Sequence, residues 1–294
     1  MTNAIRFAIA ALVLLVSGCA PAPAANAGPA LWRLADKDSE IWLFGSVHVL
    51  PPKLKWRGAK IDKAFKAADT LYFETPVDAT GQKEITAVVM RYGYNAPGVT
   101  LTEKLTNDDR ARFLRLCRKL NVDPVTMERA RPWLAATQLS VAQVIKQGQA
   151  MDAGVEQVLE REAKAQNKKR AYFESSEEQI RFLADLPPKV EMQYFTVTLR
   201  QIEEEDEDID TLDDAWARGD TKALEKELTS ELEEIGPEVY AAVIRDRNER
   251  WVKKIDAMMK GSGKIFITVG AAHLIGDDGV PALLRKKGYV VEGP

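Results

Sequence analysis

Two stretches far apart in the chain repeat one local design, and together they limit what it can fold into. Ile41-Trp42-Leu43-Phe44 is an unbroken apolar run that reads as a buried strand. It breaks at Gly45 and delivers His48 just past the strand end. Lys264–Gly270 is a second apolar run, and Ala271, Ala272 and His273 follow it. The chain holds 2 histidines in 294 residues, and each closes a Gly-x-x-His tetrad at the end of such a run. The expected fold brings these two strand ends together. Gly45 and Gly270 suit that task, because glycine lets the backbone turn sharply and lets a neighbour approach closely.

Around this pair the chain divides into α/β ends and a helical middle. Leu31–Leu34 and Ile41–Phe44 flank a polar turn and read as a β-hairpin. Gly58–Asp69 is an amphipathic helix, and Thr70–Thr75 is a strand ending near Glu74, which makes a βαβ unit. Helices are expected at Glu84–Tyr92, from Thr106 to about Leu120, at Pro132–Lys146 and at Asp152–Gln166. A short strand, Arg170–Phe173, ends at Glu174 and leads into a helix begun by Ser175. Pro188–Gly219 is helical apart from the acidic run Glu203–Asp208, which reads as a solvated face. Helices at Thr221–Ile235 and Pro237–Lys260 precede the strand Lys264–Val269, a helix Val280–Lys287 and a last strand Tyr289–Val291. The fold class is α/β: a central mixed sheet formed by the N- and C-terminal parts, with a large helical insertion over about residues 81–260. One domain spans residues 30–294.

Residues 1–18 read as a secretory signal, with Arg6 before an apolar core, Phe7–Val16, too short to span a bilayer. Val16-Ser17-Gly18-Cys19 resembles a bacterial lipoprotein signal, in which Cys19 is lipidated. Residues 19–29 then form a Pro/Ala tether. The expected setting is the cell envelope, lipid-anchored, with the domain in the periplasm or otherwise outside the cytoplasmic membrane. The other cysteine, Cys117, lies on an apolar helix stripe and reads as a core thiol. A net charge of -3 and the lack of a basic stripe argue against nucleic acid as a partner.

Parallel α/β sheets carry their sites at the carboxyl ends of the strands. His48, Glu74, Glu174 and His273 are all expected there. Two imidazoles and a carboxylate are a common ligand set for a divalent metal such as manganese, cobalt or zinc. A strand-end carboxylate is equally able to cap a helix, and a lone histidine to sit satisfied in a loop.

Leu43–His48, Tyr72-Phe73-Glu74, Asp152–Glu156, Phe173-Glu174, Arg247-Asn248 and Val269–Leu274, in this order, resemble the TraB/GumN family, whose wider group includes the Tiki proteases. The resemblance implies a divalent-metal-dependent hydrolase, peptidase-like where activity is known. It makes His48 and His273 metal ligands and Glu74 a ligand or the general base. Arg247 and Asn248 would orient substrate or stabilise an oxyanion, although they also read as a charged helix surface. Asp152 and Glu174 would orient the histidines, Asp152 being equally a helix cap. The expected partner is a peptide or small-molecule substrate. A lipoprotein that binds a metal or ligand in the same cleft without turnover is the alternative. Oligomeric state is left open.

Overall fold

The structure, a computed structural model, describes residues 28–204 and 210–294. The signal segment, Cys19 and nearly all of the tether lie outside the described residues, as do residues 205–209 of the acidic run.

Six strands form one mixed sheet among the described residues: β1 (Leu31–Ala35), β2 (Ser39–Ser46), β3 (Thr70–Phe73), β4 (Lys169–Tyr172), β5 (Gly263–Gly270) and β6 (Val291–Glu292). The spatial order is β4-β3-β5-β2-β1-β6. The first four in that order run parallel, and β1 and β6 complete the sheet antiparallel. The hairpin is present, with Leu31 opposite Phe44. The βαβ unit differs from expectation, because β5 lies between β2 and β3. Phe266 faces Trp42 on one side and Leu71 on the other. The reason is burial. Phe266, Ile267, Thr268 and Val269 are all buried, and such a run belongs at the centre of a parallel sheet. The insertion also contributes β4 to the sheet.

The helices are α1 (Ala59–Ala67), α2 (Ala79–Tyr92), α3 (Asn107–Leu120), α4 (Pro132–Lys146), α5 (Val155–Ala165), α6 (Ser176–Ala184), α7 (Pro188–Glu204), α8 (Asp210–Arg218), α9 (Thr221–Ile235), α10 (Asp246–Met259) and α11 (Val280–Lys286), with shorter turns between them. Thr106 and Ser175 cap α3 and α6 as their sequences suggest, and Ser175 forms a full capping box with Glu178. The expected helix over Pro237–Lys260 is present and runs unbroken to Met259, with a change of winding inside it. A single turn at Pro237–Tyr240 passes into a π-helical segment, Ala241–Arg245, before α10 begins.

Strand alternation gives the sheet two apolar faces. Phe44, Phe73 and Phe266 pack with Phe65, Val155, Leu159 and Trp216 on one. Leu43, Ile267 and Val269 pack with Trp251, Ile255 and Leu284 on the other. The insertion has its own core around Phe113, Trp133, Leu139 and Phe195. Cys117 sits in that core, and burial pushes its thiol up to about 11, so it is a packing residue. Glu203 is not merely solvated: it pairs with Arg112 and Arg115, tying α7 to α3.

Leu43 is fully buried, so Leu43→Ala should destabilise the chain by about 2–5 kcal/mol in urea unfolding. Val290 is largely exposed, and Val290→Ala should stay within about 0.5 kcal/mol of the parent.

Candidate active site at the carboxyl end of the parallel strands

The parallel pairing of β3 and β4 continues one step past the strands, where the Glu174 N–H donates to the Glu74 carbonyl. Glu74 and Glu174 therefore lie side by side just past the ends of neighbouring strands, Glu174 one residue further along than the Phe73–Tyr172 register. Both are buried, and two buried carboxylates this close need a cation.

Arg247, on the first turn of α10, is that cation. Its Nε donates to both oxygens of Glu174 at 3.1 Å. Nη2 donates to Glu74 Oε2 at 2.5 Å and to Glu174 Oε2 at 2.7 Å. Nη1 donates to the Val243 carbonyl at 3.1 Å and meets His273 Nε2 at 3.0 Å. All five guanidinium N–H groups are thus engaged within the protein. The guanidinium also lies over two aromatic rings, with its carbon 4.8 Å from the centre of Trp251 and 5.1 Å from that of Phe182. The Val243 carbonyl comes from the π-helical segment, a deformation that is common at functional sites.

Asn248, the next residue, is fully buried and fixes His273. Its amide Nδ2 donates to the carbonyls of Asp278 (2.7 Å) and His273 (3.3 Å). That leaves Oδ1 facing His273 Nδ1 at 2.7 Å, so Nδ1 carries the proton and donates. His273 Nε2 then presents its lone pair to Arg247. Burial lowers the His273 pKa to about 3, with Arg247 adding to the effect against the attraction of Glu74. His273 is a neutral acceptor. Burial alone would raise the Glu74 pKa, but Arg247 first, then His48 and the Gly270 N–H at 2.7 Å, hold it below the usual carboxylate range.

His48 stands apart in exposure. Its side chain is 68% exposed, while Glu74, Glu174, Arg247, Asn248 and His273 are buried. Its Nδ1 lies 2.9 Å from Oε1 of Glu156, a buried carboxylate on the first turn of α5 that also accepts from Ser46. Glu156 is the largest cause of a rise in the His48 pKa, an attraction that solvent screens at so exposed a ring. The His48 loop is clamped by the Val155 N–H on the Val47 carbonyl (3.0 Å). Gly154 is required there, because a Cβ would lie 2.0 Å from the His48 carbonyl oxygen.

The two tetrads do meet. A Cβ on Gly270 would lie 3.3 Å from Glu74 Oε1, 3.6 Å from His273 Cδ2 and 3.9 Å from His48 Nε2. Gly45 is equally tight, against Ala271 Cα at 3.1 Å. Other expectations are met differently. Asp152 is exposed, and the carboxylate on His48 is Glu156, four residues on. Glu174 holds Arg247 and, at 2.9 Å, the Trp251 indole, rather than a histidine. Arg247 and Asn248 are not a helix surface. Neither has a free donor for a substrate oxyanion, and they position Glu74 and His273 instead.

The outer partners of both histidines suit a metal, since each leaves Nε2 facing inward. The inner arrangement does not fit one. Arg247 takes the His273 lone pair and Glu74 Oε2, and His273 Nε2 is 3.9 Å from Glu74 Oε1. Among the described residues no group of three or more His, Cys, Asp or Glu is arranged to hold an ion.

An α/β sheet with two strand-end Gly-x-x-His tetrads and an Arg–carboxylate cluster between them defines a class of its own. Residues 30–293 match the model of the TraB/PrgY/gumN family, and the chain belongs to that family. It is 23% identical over 244 residues to "Uncharacterized protein YbaP" of Escherichia coli (strain K12), covering 83% of this chain and 87% of that one. The YbaP of Shigella flexneri matches equally, at 23% over 244 residues. No solved structure matches the chain.

With two histidines in the chain, imidazole NMR resolves the electrostatics directly. His273 should show the Nδ1–H tautomer and no titration from pH 8 to about 5, well above its lowered pKa. His48 should titrate above the ordinary imidazole value of about 6.5, and Glu156→Gln should bring it back towards that value. Because the His273 pKa falls on folding, its contribution to stability is complete above about pH 6.5 and declines as the pH drops below it.

Proposed function

We propose that the chain is a hydrolase of peptide or other amide or ester bonds that works outside the cytoplasmic membrane, held there by lipid on Cys19. One observation carries the catalytic part: His48 is the exposed member of an otherwise buried cluster, and a buried carboxylate orients its ring. In this reading His48 Nε2 takes a proton from the attacking water, and Glu156 stabilises the imidazolium that forms. Glu74, Arg247 and His273 hold the floor of the site rigid and polar, so little of it reorganises as charge develops.

The resemblance to Tiki-like metalloproteases supports a second, metal-dependent form of the reading. The convergence of His48, Glu74 and His273 on Gly270 favours it, and the position of Arg247 counts against it. The anchor rests on the sequence around Cys19. Cys19→Ser should move the protein from the membrane to the soluble fraction on cell fractionation.

A panel of ester and peptide substrates tests the chemistry. His48→Ala should abolish turnover of a responsive substrate, and Glu156→Gln should reduce it by about 10²–10⁴-fold, the usual range for general-base assistance. The rate should climb with pH along a limb above the ordinary imidazole range, because the base works only when neutral, and Glu156→Gln should move that limb to lower pH. Activity that survives EDTA supports the His48 reading. Activity lost in EDTA and restored by manganese, cobalt or zinc would replace it with the metal-dependent one. No turnover of any substrate, with ligand binding kept, would make the protein a binding module.

A further inference from the structure

We infer that the guanidinium of Arg247 is the resident cation of this site, so that a divalent metal and Arg247 exclude each other there. The charges argue for it first. Glu74 and Glu174 end adjacent parallel strands inside the protein, and His273 turns a lone pair towards them. That is two negative charges and one neutral donor facing inward, which is what a divalent cation would meet. Arg247 meets it already, with Nη2 shared between the two carboxylates and Nη1 on His273 Nε2.

Geometry argues for it next. A side chain that merely filled the space would have somewhere else to go, whereas all of Arg247's donors are engaged and its guanidinium lies over the rings of both Phe182 and Trp251. Moving it would strand Glu174 and give up the contacts with Phe182 and Trp251. A metal would gain the Glu74 oxygen and the His273 nitrogen only after that displacement.

The two histidines have unequal standing as a result. His48 Nε2 faces Gly270, whereas His273 Nε2 is bound to Arg247. Arg247 is therefore a positioning residue that acts through Glu74 and His273. Its removal should convert the cluster from an arginine site into a metal site. This does not depend on whether the protein is a hydrolase.

The experiment uses the full chain in detergent micelles and cobalt(II) as the spectroscopic probe, with zinc(II) in thermal melts. The proteins are the wild type, Arg247→Leu, which keeps apolar bulk beside the two rings without charge, and Arg247→Lys, which keeps the charge. The wild type and Arg247→Lys should bind no more cobalt than the His48→Ala/His273→Ala double variant does. Arg247→Leu should bind one equivalent at least tenfold more tightly than the wild type, with a ligand-field spectrum that His273→Ala removes. Its melting temperature should rise with zinc while that of the wild type does not. An Arg247→Leu chain that folds only when zinc is present gives the same answer. The inference is overturned if the wild type binds one equivalent of cobalt that is lost in the double variant, or if its melting temperature rises with zinc through His273. It is equally overturned if folded Arg247→Leu gains no affinity.

Discussion

The site depends on one buried contact set, the Arg247 guanidinium between Glu74 and Glu174. Parallel pairing of β3 and β4 places the two carboxylates side by side, and burial makes them costly without a counter-charge. Deleting one partner of such a set typically costs about 3–5 kcal/mol, because the others are left charged and dry. The same region docks α10 against the sheet, since Arg247 and Trp251 reach Glu174 and Asn248 reaches His273, all just past the strand ends. Electrostatics and packing are therefore not separable here.

From that contact set the two histidines acquire opposite characters. His273 lies against Trp251 with ring centres 4.4 Å apart, beside a permanent positive charge, and is kept neutral. His48 reaches solvent beside Glu156 and is pushed towards the protonated form. Their sequence environments are nearly the same, a glycine three residues earlier at the end of an apolar strand. The difference comes wholly from what the rest of the chain packs beside each. A histidine with a carboxylate behind it and solvent in front suits proton transfer, and one between an arginine and an asparagine suits a fixed acceptor.

The frame of the fold was legible in the sequence because its signals are local. Apolar runs, the Ser175 capping box and the two Gly-x-x-His breaks all lie within a few residues of what they determine. The insertion of β5 between β2 and β3 was not legible, because β2 and β5 are both buried apolar runs and nothing local shows which of them pairs with β3. The charged stretch Arg245–Arg250 reads as a helix surface by composition, yet Arg247 and Asn248 are buried while Arg245 and Arg250 are not. Only the neighbouring ends of β3 and β4, which set Glu74 and Glu174 around the guanidinium, explain that difference, and residues so far apart in sequence give no local sign of it. The sequence points to Asp152 rather than Glu156 for a related reason. Spacing from a helix start does not show which carboxylate Gly154 will bring under the His48 loop.

The helical insertion is part of the site rather than an ornament on the sheet. It supplies Glu156 beneath His48, Glu174 and Gln179 on the Arg247–Glu74 pair, and Phe182 on the guanidinium face. The sheet ends supply His48, Glu74 and His273. Neither part carries a complete cluster, so the charges are balanced only when the insertion has closed onto the strand ends. Folding of the sheet and assembly of the site are then one event. A chain that had formed the strands but not docked α5, α6 and α10 would expose Glu74 to water, leave His273 free to take a proton, and hold His48 with no carboxylate to orient it.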